Sequence, residues 1–388
     1  MPSEPFDSIV VGGGPAGTAC AFSLAKGGRS VLLLDRKSFP RAKACGGALS
    51  RKALLELEPL LGEGLSSLRV REPSRAVFSY RLRWQASCSP QGLSLKIARR
   101  RDLDSLLLGA AREAGAEVRE RVEALSLEEG RAEITLKVRT ERGLETLRAK
   151  TLIGADGAGS RIRRALGFPP PQKALGLAGE AVAGEEDPSK EAHSLYFDFG
   201  LVPEGYGWVF PAEGHLSIGI FMRQGRYPAL GSLFRRFLTH PALKSSRLLG
   251  LKGGLLTFRD GSPLHKGGVL LAGDAAGLTD PLTGEGIYQA LLSGRLAGEA
   301  VEGFLKGSSP LSAYGESLEA GLLPELKIAE RFARFLHRHP LATYTIAAAC
   351  PGVRELICQV MSGSLTYGEL YSHLKRKGWA KTLRKIVS

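Results

Sequence analysis

The sequence predicts an α/β fold in which a parallel sheet is interleaved with a separate antiparallel sheet and followed by a helical region. Three observations favour this fold. A glycine-rich turn joins the first apolar strand to a helix, aromatic segments with alternating polarity fill the middle of the chain, and the pattern from Leu282 onward is mostly helical. Strands that alternate with helices are typical of parallel sheets, and period-two segments are typical of half-buried strands.

The N-terminal segment has the pattern of a Rossmann-type strand–turn–helix unit. Residues 6–11 form a short apolar run, and residues 18–26 have helical character. The turn between them fits G-x-G-x-x-G, in which the glycines permit the tight turn, the approach of a pyrophosphate and the close packing of helix on strand. The turn residues are Gly12, Gly14, Pro15, Ala16 and Gly17.

A second apolar strand, residues 30–34, leads into Asp35, eighteen residues after Gly17. A carboxylate at this spacing can accept hydrogen bonds from a ribose, and the free N–H groups of a helix N-terminus can bind phosphates. Any tight strand-to-helix turn needs glycine, but here the strand, the helix and the carboxylate all fit. The segment therefore predicts a dinucleotide site that includes Asp35 and Arg36.

Two later apolar strands end in motifs of glycine and aspartate. One occupies residues 152–160 and the other residues 269–277, and their motif residues are Asp156, Gly157, Gly273 and Asp274. They resemble the D-G and G-D motifs of the flavoprotein superfamily that includes p-hydroxybenzoate hydroxylase. The resemblance implies that Asp274 binds the ribityl chain of FAD and that the D-G motif lies close to the flavin and its pyrophosphate.

The same resemblance implies a flavin-contacting arginine at Arg100. Its neighbours Arg99 and Arg101 leave that assignment open by one position. The three motifs follow one another in superfamily order between residue 6 and residue 300. We therefore expect an FAD-binding domain of the p-hydroxybenzoate hydroxylase type.

The domains are expected to be interleaved along the chain. The FAD-binding domain is predicted to comprise residues 1–75, 98–172 and 259–305, and it includes a helix at 103–114 and an antiparallel meander that leads into the D-G strand. The substrate-binding sheet is predicted at residues 76–97 and 173–258. Residues 306–388 are predicted to form the helical C-terminal region.

Three further segments resemble the geranylgeranyl reductase family, whose members saturate carbon–carbon double bonds of polyprenyl groups. They are residues 40–49 with a C-G-G motif, residues 206–211 with Y-x-W-x-F-P, and residues 280–287 with P-x-x-G-E-G-I. The resemblance implies that the C-G-G cysteine faces the flavin, that the aromatic segment lines the substrate cavity, and that the third loop lies near the isoalloxazine. The residues concerned are Cys45, Gly46, Gly47, Pro281, Gly284, Gly286 and Ile287.

A prenyl chain is long and apolar, so its site should be an apolar tunnel with few polar groups. Aromatic side chains from the predicted substrate sheet are suitable for its lining, although strands alternate faces and about half of them can belong to the sheet's own core. The candidates are Tyr196, Phe197, Phe199, Tyr206, Trp208, Phe210 and Phe221.

Reduction of an isolated double bond needs a hydride from the flavin and a proton on the neighbouring carbon. Cys45 is expected to position substrate or relay that proton, with Tyr206 or water as alternative donors. Arg41 and Lys43 would favour its thiolate if they lie close in space, and a small buried thiol beside two glycines also fits the pattern. Glu285 fits either a functional acid or a residue in the first turn of the following helix, where its charge complements the helix dipole, and we favour the second role.

The net charge of +14 raises the question of which anionic partner the protein binds. Residues 373–385 concentrate basic side chains among aromatic and aliphatic ones, which fits either a segment on an anionic membrane or a solvated terminal helix. FAD accounts for part of the positive charge, and no nucleic-acid-binding module is recognised. Oligomeric state cannot be read from the sequence.

The five cysteines are irregularly spaced, which favours a reduced cytoplasmic compartment and predicts no metal site. The N-terminus lacks a signal-peptide pattern, and no apolar run is long enough to cross a membrane. We therefore expect a cytoplasmic protein that can bind peripherally to the inner face of the cell membrane.

The expected function is an FAD-dependent reductase of geranylgeranyl diphosphate, an isoprenoid lipid or a prenyl quinone such as menaquinone. A flavin-dependent aromatic monooxygenase or halogenase shares the three FAD motifs, but the C-G-G segment argues against it. A flavin electron carrier without substrate chemistry is disfavoured by the aromatic segments. Only one G-x-G-x-x-G opens a strand–helix unit, so no dedicated second nucleotide domain is expected. NAD(P)H that binds transiently over the flavin, reduced ferredoxin and a quinol-linked carrier all stay open as electron donors.

Overall fold

A computed structural model describes residues 4–89, 93–182, 193–223 and 230–376. Within these ranges the strands are β1 (Phe6–Val11), β2 (Val31–Asp35), β3 (Ala48–Leu49), β4 (Val70–Arg71), β5 (Arg75–Tyr80), β6 (Trp84–Cys88), β7 (Lys96–Ala98), β8 (Glu117–Glu120), β9 (Glu123–Glu129), β10 (Ile134–Thr140), β11 (Gly143–Gly154), β12 (Gln172–Val182), β13 (Ser194–Phe199), β14 (Gly205–Ala212), β15 (His215–Arg223), β16 (Arg247–Phe258), β17 (His265–Lys266) and β18 (Val269–Leu271). The helices are α1 (Pro15–Lys26), α2 (Arg51–Leu61), α3 (Arg100–Glu113), α4 (Arg161–Ala165), α5 (Leu230–Phe237), α6 (Ile287–Leu305), α7 (Ala313–Ala320), α8 (Leu322–Arg338), α9 (Pro340–Ala349), α10 (Pro351–Met361) and α11 (Tyr367–Arg376).

The first sheet has a parallel core in the order β18-β11-β1-β2-β8. Strands β1, β2 and β18 consist mainly of buried apolar residues, and helices α1 and α6 pack nearby. Strands of a parallel sheet are typically buried on both faces in this way. The antiparallel strands β9 and β10 lead into β11, which then runs beside β1. The predicted α/β fold and the predicted meander are confirmed.

The glycine-rich turn between β1 and α1 depends on two close backbone approaches. Gly12 has a φ of +115°, and a Cβ there would lie 2.2 Å from the carbonyl oxygen of Ala155. A Cβ on Gly17 would lie 1.8 Å from the carbonyl oxygen of Gly12. No side chain fits at either position, so the turn brings α1 directly over the end of β1.

The second sheet has the order β16-β12-β15-β14-β13-β5-β6. Its pairs are antiparallel except for β13 with β5, which is parallel. Strands β5 and β6 precede the segment from β7 to β11 in the chain and strands β12 to β16 follow it, and all of them pair in this one sheet. The strands of the two sheets are therefore interleaved along the chain. The domain bounds given above stay predictions.

The last helices pack around one end of this second sheet. Helix α9 contacts β5, β6 and β13, and α10 contacts β6, while α8 is joined to α9 and α11. The helical C-terminal region expected from the sequence is confirmed as far as residue 376. No helix in the described part of the chain is long and apolar enough to cross a membrane.

Candidate active site

A large cavity lies between the two sheets and the C-terminal helices. It encloses about 2550 Å³ of space with its open mouth included, and its wall is predominantly apolar. The N-terminus of α1 and the loops after β2 and β18 form one end, and the face of the second sheet and helices α8 to α11 form the other.

The first end of the cavity has the features of a dinucleotide cradle. Gly14, Pro15 and Ala16 line it where α1 begins, and the first turn of α1 carries no acidic residue. Asp35 Oδ2 accepts a hydrogen bond of 2.8 Å from the Gly13 backbone N–H, which fixes the carboxylate beside the turn. An unfilled helix N-terminus of this kind attracts phosphate.

Arg41 adds positive charge beside this helix N-terminus. Its guanidinium stacks on Phe39 and lies 3.4 Å from Asp104 and 3.9 Å from Asp35, while its buried Nε has no hydrogen-bond partner among the described residues. A Cβ on Gly14 would be 3.6 Å from Arg41 Nη2. An unpaired, buried donor next to a helix N-terminus fits the pyrophosphate of a dinucleotide.

The other predicted cofactor residues lie around this cradle in different ways. Arg100, Gly157, Asp274, Gly284, Gly286 and Ile287 line the cavity together with the C-G-G segment. Gly12, Gly17, Gly273 and Pro281 lie behind its wall, and Arg36 is exposed and borders a separate polar depression.

The two motif aspartates are already partly engaged within the protein. Asp156 Oδ2 accepts hydrogen bonds from the backbone N–H groups that open α4, at 2.6 Å from Arg161, and its buried Oδ1 has no partner within the described residues. Asp274 accepts a hydrogen bond from Thr279 at 2.8 Å, and its other oxygen lies 3.5 Å from Lys43. Asp274 lines the cavity, whereas Asp156 does not.

Strand β14 presents three aromatic side chains to the cavity. Tyr206, Trp208 and Phe210 are two residues apart, so they share one face of the strand. Neighbouring strands extend this aromatic wall, with ring centroids 5.1 Å apart for Phe210 and Phe197 and 5.3 Å apart for Tyr206 and Phe221. Trp208, Phe210 and Phe221 line the cavity, and their contact with substrate stays a prediction.

Tyr196 is a correction to the predicted lining. It lies one residue before Phe197 and therefore on the opposite face of β13, where its ring meets His240 at 5.2 Å and packs in the cluster that contains Phe237. This face is covered by α5, and Tyr196 contributes to the core between α5 and the sheet.

The C-G-G segment lies against the aromatic wall. A Cβ on Gly46 would be 3.0 Å from the Phe210 ring and 3.3 Å from Trp208 Nε1, which shows how closely the two motifs approach. The Cys45 sulfur accepts a hydrogen bond of 3.4 Å from the Gly47 backbone N–H and lines the cavity. The structure therefore brings together two motifs that are separated by about 160 residues.

Arg100 anchors this segment from the side of α3. It forms two hydrogen bonds of 3.0 Å with the buried carboxylate of Asp104 and interacts with the sulfur of Cys45. Burial opposes the charged form, but Asp104 and Cys45 outweigh it and raise the pKa of Arg100. Arg100 is thus a permanent cation beside the thiol.

The hydroxyl of Tyr206 donates a hydrogen bond to the backbone carbonyl of Thr283, in the P-x-x-G-E-G-I loop. Burial, together with the nearby Asp280, Cys45 and Glu285, raises the pKa of this phenol above its ordinary value. Tyr206 therefore keeps its proton and joins the second sheet to the loop.

Glu285 does not lie where the sequence analysis placed it. Helix α6 begins at Ile287 and has no acidic residue in its first turn, so Glu285 precedes the helix. Its side chain lines the cavity and accepts a hydrogen bond of 2.7 Å from Ser50, the N-cap residue of α2. Burial, with a smaller contribution from Asp280, raises the pKa of Glu285 to about 7.

Sequence reasoning missed the contribution of the C-terminal helices to the cavity. Helix α8 has an apolar face whose period could have been detected, but that pattern cannot tell what the face covers. The lining residues from these helices include Phe332, Phe335, Leu336, Tyr344, Ile357 and Met361.

Comparison with known proteins agrees with this geometry. Residues 6–190 match the FAD binding domain family. Digeranylgeranylglycerophospholipid reductase 1 of Methanopyrus kandleri is 33% identical over 84% of this chain and 92% of its own length. The chain belongs to the geranylgeranyl reductase family. It is an FAD-dependent oxidoreductase.

Two other similar proteins align with much of the chain. The menaquinone reductase of Mycobacterium tuberculosis (strain H37Rv) is 33% identical over 76% of this chain and 76% of its own length. The crystal structure of a geranylgeranyl bacteriochlorophyll reductase-like protein from Thermoplasma acidophilum covers 86% of this chain and 88% of its own, with a TM-score of 0.76 and 25% identity. The resemblance to the geranylgeranyl reductase family is thereby confirmed.

Proposed function

We propose that this reductase saturates carbon–carbon double bonds in the polyprenyl part of a lipid. The observation that supports this most strongly is the continuous aromatic wall formed by Tyr206, Trp208 and Phe210, which runs from the C-G-G segment toward the C-terminal helices. An apolar chain gains free energy along such a wall, and few polar groups on the wall lose hydrogen bonds to water.

FAD would be held by the glycine-rich turn, Asp35, Asp156 and Asp274, with Arg100 and the loop around Gly284 beside its reactive ring. When bound and reduced, it supplies the hydride for the reaction. The protein supplies the remaining requirements, which are alignment of the double bond, exclusion of water and a proton for the neighbouring carbon.

Cys45 and Tyr206 are proposed as catalytic residues with different duties. Cys45 borders the cavity between Arg100 and the aromatic wall, a place from which it can position the double bond or relay a proton. Tyr206 faces the cavity with its ring and is tied by its hydroxyl to Thr283. This fixed phenol is suited to alignment of the prenyl chain.

The substrate head group is proposed to be a diphosphate, a glycerophospholipid or a quinone. The relatives named above include a digeranylgeranylglycerophospholipid reductase and a menaquinone reductase, which supports lipids of the last two kinds. Electrons are proposed to come from NAD(P)H binding transiently or from a reduced ferredoxin.

Peripheral binding to an anionic membrane is proposed for the basic C-terminal segment. Helix α11 carries basic residues in its last turn, and most of the predicted segment, residues 377–385, lies outside the described residues. Attraction of this kind weakens with salt, so binding to vesicles with anionic lipids should fall as ionic strength rises.

The experiment is anaerobic addition of lipids to the photoreduced holoenzyme, with the flavin spectrum as readout. Geranylgeranyl diphosphate, a digeranylgeranylglycerophospholipid and menaquinone are added separately, and the matching fully saturated lipids are the controls. Reoxidation by an unsaturated lipid but not by its saturated partner is expected. Menaquinone also needs product analysis, because its ring can accept electrons. A rapid flavin–oxygen adduct in air without reaction with any lipid would instead favour a monooxygenase.

A further inference from the structure

The second half of the loop that joins β18 to α6 carries two carboxyl groups, and one of them lines the cavity. Asp280 is buried and fully engaged, because it accepts hydrogen bonds from the backbone N–H groups of Leu282 and Thr283 at 2.8 and 3.0 Å and from the Tyr367 hydroxyl at 2.7 Å. The Glu285 carboxylate is different, since Ser50 is the residue that donates hydrogen bonds to it, through its side chain and its backbone N–H. Glu285 also lines the cavity, whereas Asp280 does not.

Two nearby carboxyl groups in a poorly solvated place do not both ionise readily. Burial raises the pKa of both carboxyls. Leu282, Thr283 and Tyr367 donate hydrogen bonds that stabilise a negative charge on Asp280, whereas Ser50 alone does so for Glu285. Burial raises the pKa of Glu285 to about 7, which agrees with a carboxylic acid that is substantially protonated near neutrality.

The charged and titratable groups around Glu285 come from four other elements. Lys52 on α2 lowers its pKa, and Asp280 on its own loop raises it. Three phenols complete the surroundings, and burial raises the pKa of each of them, so they stay neutral near pH 7. They are Tyr206 on β14, Tyr288 on α6 and Tyr367 on α11.

Of the side chains considered above as proton donors, Tyr206 is less suited to release a proton. The hydroxyl proton of Tyr206 is engaged with the Thr283 carbonyl, and the surrounding negative groups disfavour its loss. The Cys45 sulfur accepts a hydrogen bond from the Gly47 backbone N–H and interacts with Arg100, a place beside the cavity from which it can pass a proton on.

We propose that Glu285 is the acid that supplies the proton of the reduction, directly to the substrate carbon or by way of Cys45. This proposal rests on the proposed reduction of prenyl double bonds. One carbon of the double bond receives the hydride from the reduced flavin, the other receives the proton from the Glu285 carboxyl, and the π bond is lost. Glu285 is left as a carboxylate, which accepts a proton from water before the next turnover.

The test compares Glu285→Gln with the control Glu58→Gln, which changes an exposed glutamate on α2. The rate constant of flavin reoxidation by the prenyl lipid is measured under anaerobic conditions from pH 5 to pH 9. In the wild-type enzyme this rate should fall above about pH 7, because the acid form of Glu285 disappears. Glu285→Gln should slow the reaction by about 100-fold or more and abolish this alkaline limb.

Ser50→Ala provides a second variant with a directional prediction. Ser50 stabilises the carboxylate through its hydrogen bond, so its removal should move the alkaline limb to higher pH. The loss of this N-cap should lower stability only slightly and leave the protein folded. A merely structural role of Glu285 would leave the limb in place.

Infrared titration gives a readout that does not depend on turnover. The wild-type protein should show a protonated carboxyl band that disappears near pH 7, and Glu285→Gln should lack it. Equal rates and equal pH profiles for wild type and Glu285→Gln would overturn the proposal, as would the absence of that band. If the wild-type enzyme reduces none of the lipids while the band titrates as expected, the proposed function fails and the protonation state of Glu285 stands.

Discussion

At the scale of single residues, Cys45 is the most direct test of the proposed reaction. Replacement by alanine should lower kcat by about 100-fold while FAD stays bound, because the side chain is small and contributes little to the cradle. The comparison is Cys350→Ala, a half-buried cysteine at the junction of α9 and α10. Turnover of both variants is measured with the preferred lipid, and an unchanged kcat for Cys45→Ala would remove Cys45 from the mechanism.

Single residues could be predicted from the sequence where the backbone geometry admits only one residue type. The turn at Gly12 and Gly17 could be predicted because only glycine fits such close approaches. Glu285 could not be placed, since a carboxylate before a helix can serve its dipole or face a cavity. The choice depends on Ser50, a residue more than 200 positions away in the sequence.

At the scale of elements, the two faces of strand β14 are expected to have different roles. One face binds the lipid and the other stabilises the folded protein. Trp208→Ala should raise KM for the lipid by about 10-fold or more, because it removes aromatic surface from the cavity wall. Val209 faces the core on the other side, so Val209→Ala should lower unfolding free energy by about 0.5–3 kcal/mol and leave KM unchanged. Steady-state kinetics and urea unfolding distinguish the two effects, and a similar rise in KM for both variants would contradict the assigned faces.

Because of His240, in the segment after α5, we expect the free energy of unfolding to depend on pH. Burial lowers the pKa of His240 to about 4, and its Nδ1 accepts a hydrogen bond from the Ala242 backbone N–H. Between about pH 4 and the ordinary histidine pKa of 6.5, the unfolded chain binds a proton that the folded chain does not, so unfolding free energy falls as pH falls through this window.

His240→Gln should therefore flatten the dependence of unfolding free energy on pH in that window. His337 has a pKa lowered by burial to about 4 as well, so adding His337→Gln should flatten it further. Urea titrations at several pH values provide the slopes. Identical slopes for the wild type and the double variant would show that neither histidine is held neutral by the fold.

Element-scale prediction from the sequence was good for strands and helices and weaker for their orientation. Alternation predicted strands at residues 194–199 and 215–221, which are β13 and β15, but it cannot state which alternate set of side chains faces the ligand. Phe197 and Tyr196 are adjacent and equally aromatic, and only packing against α5 decides that Tyr196 faces away from the cavity.

At the scale of the whole molecule, the C-terminal helices complete a cavity that the two sheets leave open. Tyr367 on α11 connects these helices to the loop between β18 and α6. Its hydroxyl donates a hydrogen bond to Asp280 in that loop, and its backbone N–H donates one to Glu325 on α8. The apolar period of these helices predicts buried faces, but the sequence carries no local signal that those faces meet the substrate sheet.

Tyr367→Phe should lower the free energy of unfolding by about 1–3 kcal/mol, because it leaves a buried oxygen of Asp280 without that donor. Tyr371→Phe, on the same helix and only half-buried, is the matched control and should change stability little. Urea unfolding measures both. Equal losses would mean that the bond to Asp280 does not hold the helices to the loop.

The central claim is that this protein adds hydrogen to prenyl double bonds, and the mass of the recovered lipid tests it most directly. The holoenzyme is reduced without oxygen, mixed with a geranylgeranyl lipid and allowed to react until the flavin spectrum is stable. A product heavier by one pair of hydrogens for each double bond reduced is the predicted result. A lipid of unchanged mass, recovered while the wild-type flavin is reoxidised or stays reduced, would contradict the claim.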